Sequence, residues 1–393
     1  MPVGSPRPRR NRTVYRIASH LPQDEAVAAF EEVLASGLLS GVDGGPQVHA
    51  YQAEFAGYVG VPHAIGVASG SAALLCALRA LEVEAGDEVI VPAFTFIADL
   101  QAILECNARP VFADVDPDTY CIRPEEIERL ATGRTKAVVV VHLFGRAAAV
   151  GPISAIASER GFAVIEDCCQ AHGATHEGRR VGSFGDLACF SFSQGHIISG
   201  GGGGMVLTRD PELAERVRCL RFFGVAGVDA IENDEHRDHD RLGFNFAMTE
   251  LAAALCRIQL RSIDEIVRAR REAADTFADV LAEQELELPP DDGGPDRPTY
   301  HLYPVRLPRS APFSRGEFTR ELRRRGVGCL VTYPRALHQM TVVHSYEQRP
   351  PLETLPVSED YARRTIGLFC GGMTAEAARE AGGAVADAIA ALS

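Results

Sequence analysis

The sequence predicts an α/β fold, with a large domain built on a mostly parallel sheet and a smaller α+β lobe toward the carboxyl end. Two observations predict it. Short, β-branched apolar runs alternate with helical patterns between about residues 64 and 208, and after 208 the alternation gives way to longer helical stretches. Runs that are apolar throughout, rather than at every second residue, are what strands buried on both faces require. Repeated strand–helix units of this kind build a mostly parallel sheet.

The elements follow in order. Residues 1–13 read as a flexible tail, because Met1 to Arg12 holds four arginines with Pro and Gly but no apolar stretch of a signal peptide. Ala64–Val67 reads as a strand, with a helix from Ser71 to Leu81. Glu88–Val91 is the next strand, followed by a helix through Leu104. Pro110–Ala113, Ala137–Val141 and Ala163–Asp167 are further strands with helices between them. Helical patterns cover about 211–220 and 248–283. Residues 285–297, rich in Pro, Gly and Asp, read as a surface loop. Tyr300–Leu307 then reads as a strand, Ser314–Arg325 as a helix and Glu376–Leu392 as a closing helix. The large domain is placed at 14–264 and the small one at 265–393, with the N-terminal segment able to join the latter.

Composition limits the function. The chain has 393 residues, 46% of them hydrophobic, and a net charge of −14, which argues against nucleic acid or an anionic membrane as its main partner. No stretch of 18 apolar residues is present, so no membrane span is expected and the location expected is cytoplasmic. The 10 cysteines form no Cys-x-x-Cys pair and read as reduced core thiols, so no metal or iron–sulfur site is expected. Lys136 is the single lysine, against 38 arginines.

Three segments carry candidate chemistry. Ser69-Gly70-Ser71-Ala72 lies where a strand ends and a helix begins, a place for an anion such as phosphate or for a plain helix cap. Asp167 ends an apolar strand, at the edge where open α/β sheets bind ligands, and a carboxylate there needs a cation or a helix end to cap. Gln170 and His172 follow on the same turn. Ser191 to His196 precedes five consecutive glycines, Gly200–Gly204, which suit either close backbone approach to a ligand or a flexible loop.

Together these segments resemble the DegT/DnrJ/StrS-type sugar aminotransferases, over about residues 28–380. Pro92-Ala93-Phe94-Thr95-Phe96 looks like the family segment whose last aromatic stacks on the cofactor ring. Glu166-Asp167-Cys168-Cys169-Gln170-Ala171-His172-Gly173 is similar to the one carrying the pyridinium-binding Asp and its neighbouring Gln. Gly243-Phe244-Asn245-Phe246 resembles a Gly-Tyr-Asn-Tyr motif, and Leu368 to Thr374 the segment before the last helix. The resemblance implies an aspartate-aminotransferase-like fold of pyridoxal-phosphate fold type I. It implies non-covalent pyridoxal or pyridoxamine 5'-phosphate held by Gly70, Ser71, Ala72, Phe96, Asp167, Gln170 and Ser191. It also implies a homodimer in which Asn245 reaches the phosphate of the neighbouring subunit.

The departures matter as much. The family places a Schiff-base lysine five residues after the phosphate-binding Ser, and here His196 stands there. Gly202 replaces an acidic residue, Ala247 an Arg and Phe223 a His. Imidazole forms no imine with an aldehyde, so a lysine route is closed, but it can move a proton. The family's sugar 3-dehydratases carry His at this place. The expectation is therefore a dehydratase-like reaction on a keto sugar, nucleotide-linked, with glutamate recharging the cofactor and His196 as the catalytic base. The alternatives are another lysine-free reaction on a cyclitol or amino-sugar precursor, or a non-catalytic partner of an active aminotransferase.

Overall fold

Two helices, α1 (Gln23–Ser36) and α2 (Pro46–Val59), precede the first strand, β1 (His63–Val67). The structure is a computed structural model and describes residues 21–41, 43–225, 239, 241–290, 294, 296–346 and 353–393. The tail expected over 1–13 lies outside the described residues, as does part of the 285–297 loop. Neither early helix belongs to the strand–helix alternation. α2 nevertheless carries signals of its own: Pro46 in its first turn, buried Val48, Tyr51, Phe55 and Val59 at helical spacing, and Gly60 closing it at φ 85°. Its first turn is held from far along the chain, where the Glu250 carboxylate accepts from the N–H groups of Gly45, Gln47 and Val48 at 2.9, 2.8 and 3.0 Å.

The alternation then runs α3 (Gly70–Ala80), β2 (Glu88–Pro92), α4 (Ile97–Glu105), β3 (Arg109–Ala113), α5 (Pro124–Leu130), β4 (Thr135–Val141), α6 (Val150–Arg160) and β5 (Ala163–Asp167). A small hairpin, β6 (Thr175–His176) and β7 (Arg179–Arg180), comes before β8 (Leu187–Ser191) and β9 (Gly204–Thr208). Seven strands make the main sheet, in the order β1-β9-β8-β5-β4-β2-β3. From β3 to β8 the pairings are parallel, and β9 runs antiparallel to both β8 and β1. The sheet is thus mostly parallel. Burial on both faces explains its composition: Ala137 to Val141 of β4 are all buried.

Beyond β9 lie α7 (Pro211–Arg221), α8 (Glu250–Arg261) and α9 (Ile263–Leu281). The single helical pattern read over 248–283 is two helices, broken at Ser262 with φ −112° and ψ 16°. Both halves present apolar faces, so spacing alone runs straight through the break. A three-stranded antiparallel sheet, order β10-β12-β11, forms from β10 (Tyr303–Arg306), β11 (Cys329–Leu330) and β12 (Thr365–Leu368). Around it stand α10 (Arg315–Arg324), α11 (Thr341–Ser345), α12 (Pro356–Arg364) and α13 (Ala375–Leu392). The strand read from Tyr300 begins only at Tyr303. The N–H groups of Thr299 and His301 instead bind the carbonyls of Gly145 and Phe144, tying this stretch to the main sheet.

The buried apolar side chains fall into three clusters. One fills the space among β2, β4, α3 and α4, and a second, with Tyr51, Phe55, Phe190 and Phe192, lies under α2 and α8. The third joins α9 and α13 to the small sheet through Phe277, Tyr303 and Phe318. Tyr333, Leu337, Leu355 and Tyr361 pack into the first cluster, so the chain beyond residue 265 contributes to both bodies. All ten cysteines are buried and none is in a disulfide. Among the described residues no helix is long and apolar enough to cross a membrane.

Candidate active site

Topology gathers the candidate residues at one edge of the main sheet. β1, β5 and β8 all end there, and β9 begins there because it runs the other way; Val67 and Ser191 are both in register with Gly204. Lys136 lies at the opposite edge. It is the second residue of β4, next to Thr135, which pairs with Glu88 at the start of β2, whereas Val141 at the far end of β4 pairs with Asp167.

The first turn of α3 is capped by Ser69, whose hydroxyl accepts from the Ala72 N–H at 3.1 Å. Ser71 is exposed on that turn. Gly70 lies directly against Ser191: a Cβ on Gly70 would sit 2.6 Å from the Ser191 Cβ and 3.0 Å from the Cys169 sulfur. Glycine is required there by this close approach. Phe96, just ahead of α4, leaves 53% of its surface exposed, although neighbouring Phe94 is buried.

Asp167 is buried, and its Oδ1 accepts from the Cys169 N–H at 2.9 Å. Gln170 accepts from the Phe144 N–H at 3.1 Å and donates to the Tyr333 hydroxyl at 2.6 Å. Both groups of its amide are committed, so its orientation is fixed. Tyr333 arrives from beyond β11 and, like Asp99 on α4, was not among the residues singled out by sequence. Asp99 is buried beside Asp167 and accepts from the Thr95 hydroxyl at 2.8 Å.

His196 stands on the turn after β8. Its Nδ1 is buried without a partner. The ring stacks on His301, with centroids 5.1 Å apart and planes at 14°, and lies 6.3 Å from the ring of His172. Burial lowers its pKa to about 4, against the pull of Asp167. The imidazole is therefore neutral at pH 7, but burial makes it a weaker base than an exposed one. His172 and His301 are likewise pushed well down, first by burial and then by His196.

Asn245 sits apart from this group. It is exposed and pairs with Phe222, on a segment that runs along β1 through the Ala247–Val67 bridge. One trio of potential metal ligands occurs among the described residues, His142, Glu166 and Cys168. Its polar atoms already have partners. Glu166 accepts from His142 Nε2 at 3.0 Å and from the N–H groups of Gly182, Phe184 and Gly185 at 2.8 Å each, and His142 Nδ1 accepts from the Ala148 N–H. This is a structural knot under the Asp167 turn.

The model of the DegT/DnrJ/EryC1/StrS aminotransferase family matches residues 22–387. The chain belongs to this family. Among its family relatives, the L-glutamine:2-deoxy-scyllo-inosose aminotransferase of Streptomyces fradiae is 37% identical over 91% of this chain and 89% of its own length. A UDP-N-acetyl-3-dehydro-alpha-D-glucosamine 3-aminotransferase of Acidithiobacillus ferrooxidans is 39% identical over 82% of this chain and 83% of its own. Among solved structures, NtdA from Bacillus subtilis with bound cofactor PMP matches with a TM-score of 0.82 and 26% identity, covering 96% of this chain and 83% of that one.

The family fold is pyridoxal-phosphate fold type I, and its cofactor is pyridoxal or pyridoxamine phosphate. The residues of this chain fit that group. Gly70 lets the N-terminus of α3 lie against Ser191, so a helix end and a hydroxyl stand side by side, a pairing suited to phosphate. Phe96 offers an exposed ring face for a flat heterocycle, and Asp167 a buried carboxyl for a protonated ring nitrogen.

Proposed function

We propose that this family member acts on a keto sugar or a closely related keto cyclitol by a lysine-independent route, with His196 as the base. The observation that carries this reading is the His196 ring: an imidazole on the turn after β8, stacked on His301 and kept neutral at pH 7 by burial despite the pull of Asp167. No amine competes with it, because the single lysine lies at the other edge of the sheet.

Bound pyridoxamine phosphate supplies a primary amine for a substrate carbonyl and an electron sink for the carbon beside it. The chain does the rest. The α3 turn with Ser191 holds the phosphate, Phe96 and Gln170 fix the ring, and Asp167 holds the ring nitrogen in its cationic form. The His196 imidazole takes up a proton at the reacting carbon and returns it. Loss of a neighbouring hydroxyl as water, as in a 3-dehydratase, is the outcome that would need no lysine; the cofactor's nitrogen would leave as ammonia, and glutamate would restore the amine. A nucleotide-linked keto sugar fits the sugar-nucleotide name of the Acidithiobacillus relative, whose named substrate carries its keto group at carbon 3, and cyclitols fit the name of the Streptomyces fradiae one.

The test is a mass-spectrometric screen of nucleotide-4-keto sugars and keto cyclitols with pyridoxamine phosphate and glutamate, on wild type and His196→Asn. A product lighter by one oxygen atom, its hydroxyl replaced by hydrogen with glutamate as the reductant, supports the dehydratase route, and an amino product supports transamination by a lysine-free path. Turnover should fall by on the order of 10²–10⁴-fold in His196→Asn, the usual share of a positioned base, with pyridoxamine phosphate still retained. Unchanged turnover in that variant removes His196 from the mechanism.

A further inference from the structure

Asp99 lies in the first turn of α4 and is 1% exposed, deeper than Asp167. Its Oδ2 accepts from the Thr95 hydroxyl at 2.8 Å. Its Oδ1 is buried with no donor to bind, and its carboxyl lies within hydrogen-bonding reach of the Asp167 carboxyl. Two ionised carboxyls so placed repel in a medium that screens poorly, and the orphan oxygen stays unsatisfied. A single proton resolves both problems: Asp99 as the acid donates from Oδ1 to Asp167 as the carboxylate. The other ionisable groups that interact with Asp99 are Cys169 on the Asp167 turn, Cys189 on β8 and Tyr333 beyond β11. Burial keeps all three neutral, so none of them offers a counter-charge. Burial first, and the Asp167 charge second, hold the Asp99 carboxyl well above the usual carboxylate range.

We propose that Asp99 is a positioning residue that shares one proton with Asp167 and thereby sets the charge Asp167 presents to the cofactor's ring nitrogen. The second half of this statement rests on the cofactor reading, and the first half does not. The pair carries one negative charge and one mobile proton. When Asp167 meets an unprotonated ring nitrogen, the Asp99 O–H bond breaks, the proton passes through Asp167, and an N–H bond forms. Both carboxylates then face one cation, and total charge is conserved without a proton from solvent.

The first measurement is infrared difference spectroscopy on the cofactor-free protein at pH 7. The wild type should show the carbonyl band of a buried, protonated carboxyl, and Asp99→Asn should lose it. No band in wild type, or a band that survives Asp99→Asn, overturns the shared proton. Should Asp99→Asn fail to fold, the wild-type spectrum decides alone, because among the described residues Asp99 is the carboxyl that burial holds protonated. The second measurement counts protons exchanged on binding pyridoxamine phosphate, by calorimetry in buffers of different ionisation enthalpy, at a pH where the free ring nitrogen is unprotonated. Asp99→Asn keeps a donor to Asp167 but has no proton to give, so it should take up more protons from solvent than wild type, by up to one. Equal uptake overturns the role toward the cofactor. A wild type that shows the band but binds no pyridoxamine phosphate leaves the shared proton standing and sinks the cofactor half.

Discussion

Buried His172 and half-buried His196 and His301 form a group of imidazoles whose protonation the fold resists, and this couples the candidate site to stability. The His196 pKa falls to about 4, against about 6.5 in an unfolded chain. Below pH 6.5 the unfolded chain therefore binds a proton that the folded one refuses, and stability falls as pH drops from about 6.5 toward 4. At about 1.4 kcal/mol for each pH unit between the two values, His196 alone accounts for on the order of 3 kcal/mol. Urea melts of the cofactor-free protein at pH 7 and pH 4.5 should show this loss, and it should be smaller in His196→Asn. An equal loss in both proteins would mean that His196 is already charged in the fold. At this scale the sequence was partly legible. Asp167, Gln170 and Ser191 could be placed because strand-end motifs are local. Asp99 could not be recognised, since its meaning depends on Asp167, 68 residues on, and Tyr333 meets Gln170 only through the fold. A lone Asp within the apolar run Phe96-Ile97-Ala98-Asp99-Leu100 was the signal available.

Helix starts show how far apart the partners of one element can be. Glu250, at the head of α8, caps the first turn of α2 some 200 residues earlier through three N–H groups. Asp114, just after β3, likewise accepts from the N–H groups of Val357 and Ser358 and from the Ser358 hydroxyl at the start of α12. Neither cap shows in the local sequence, because capping rules look within four residues of the helix start. Glu250→Ala would leave three N–H groups of the α2 turn without their charged acceptor, in a place where the carboxylate is 2% exposed. A loss of about 3 kcal/mol in chemical denaturation is expected. Hydrogen exchange should quicken at Gln47 and Val48 while the β4 amides stay protected. A variant as stable as wild type would show that water replaces the carboxylate at no cost.

At the scale of the whole molecule, five of the seven main-sheet strands were read from apolar runs, because burial on both faces imposes that composition, whereas β8 and β9 received no range. The break at Ser262 and the late start of β10 were not legible, since both depend on contacts with distant segments. Asn245 presents a further question at this scale. It is exposed and remote from Asp167 in its own chain, while Leu34, Leu38 and Leu39 leave 63%, 38% and 48% of their surface bare nearby in sequence to the Glu250-bound turn. We expect a homodimer in which Asn245 of each chain completes the other's site, with an interface above about 2,000 Å². Sedimentation at micromolar concentration should give a dimer in the cofactor-loaded protein; a loaded monomer would contradict this.

The position of Lys136 has a practical consequence as well. It is half-buried near the amino end of β4, and apart from the α-amine it is the only primary amine in the chain. Reagents that seek amines thus have a single side-chain target, at the edge of the sheet opposite the candidate site. A dye or tether attached there would report on the protein, or hold it to a support in one orientation, with the ligand-binding edge left facing the solution.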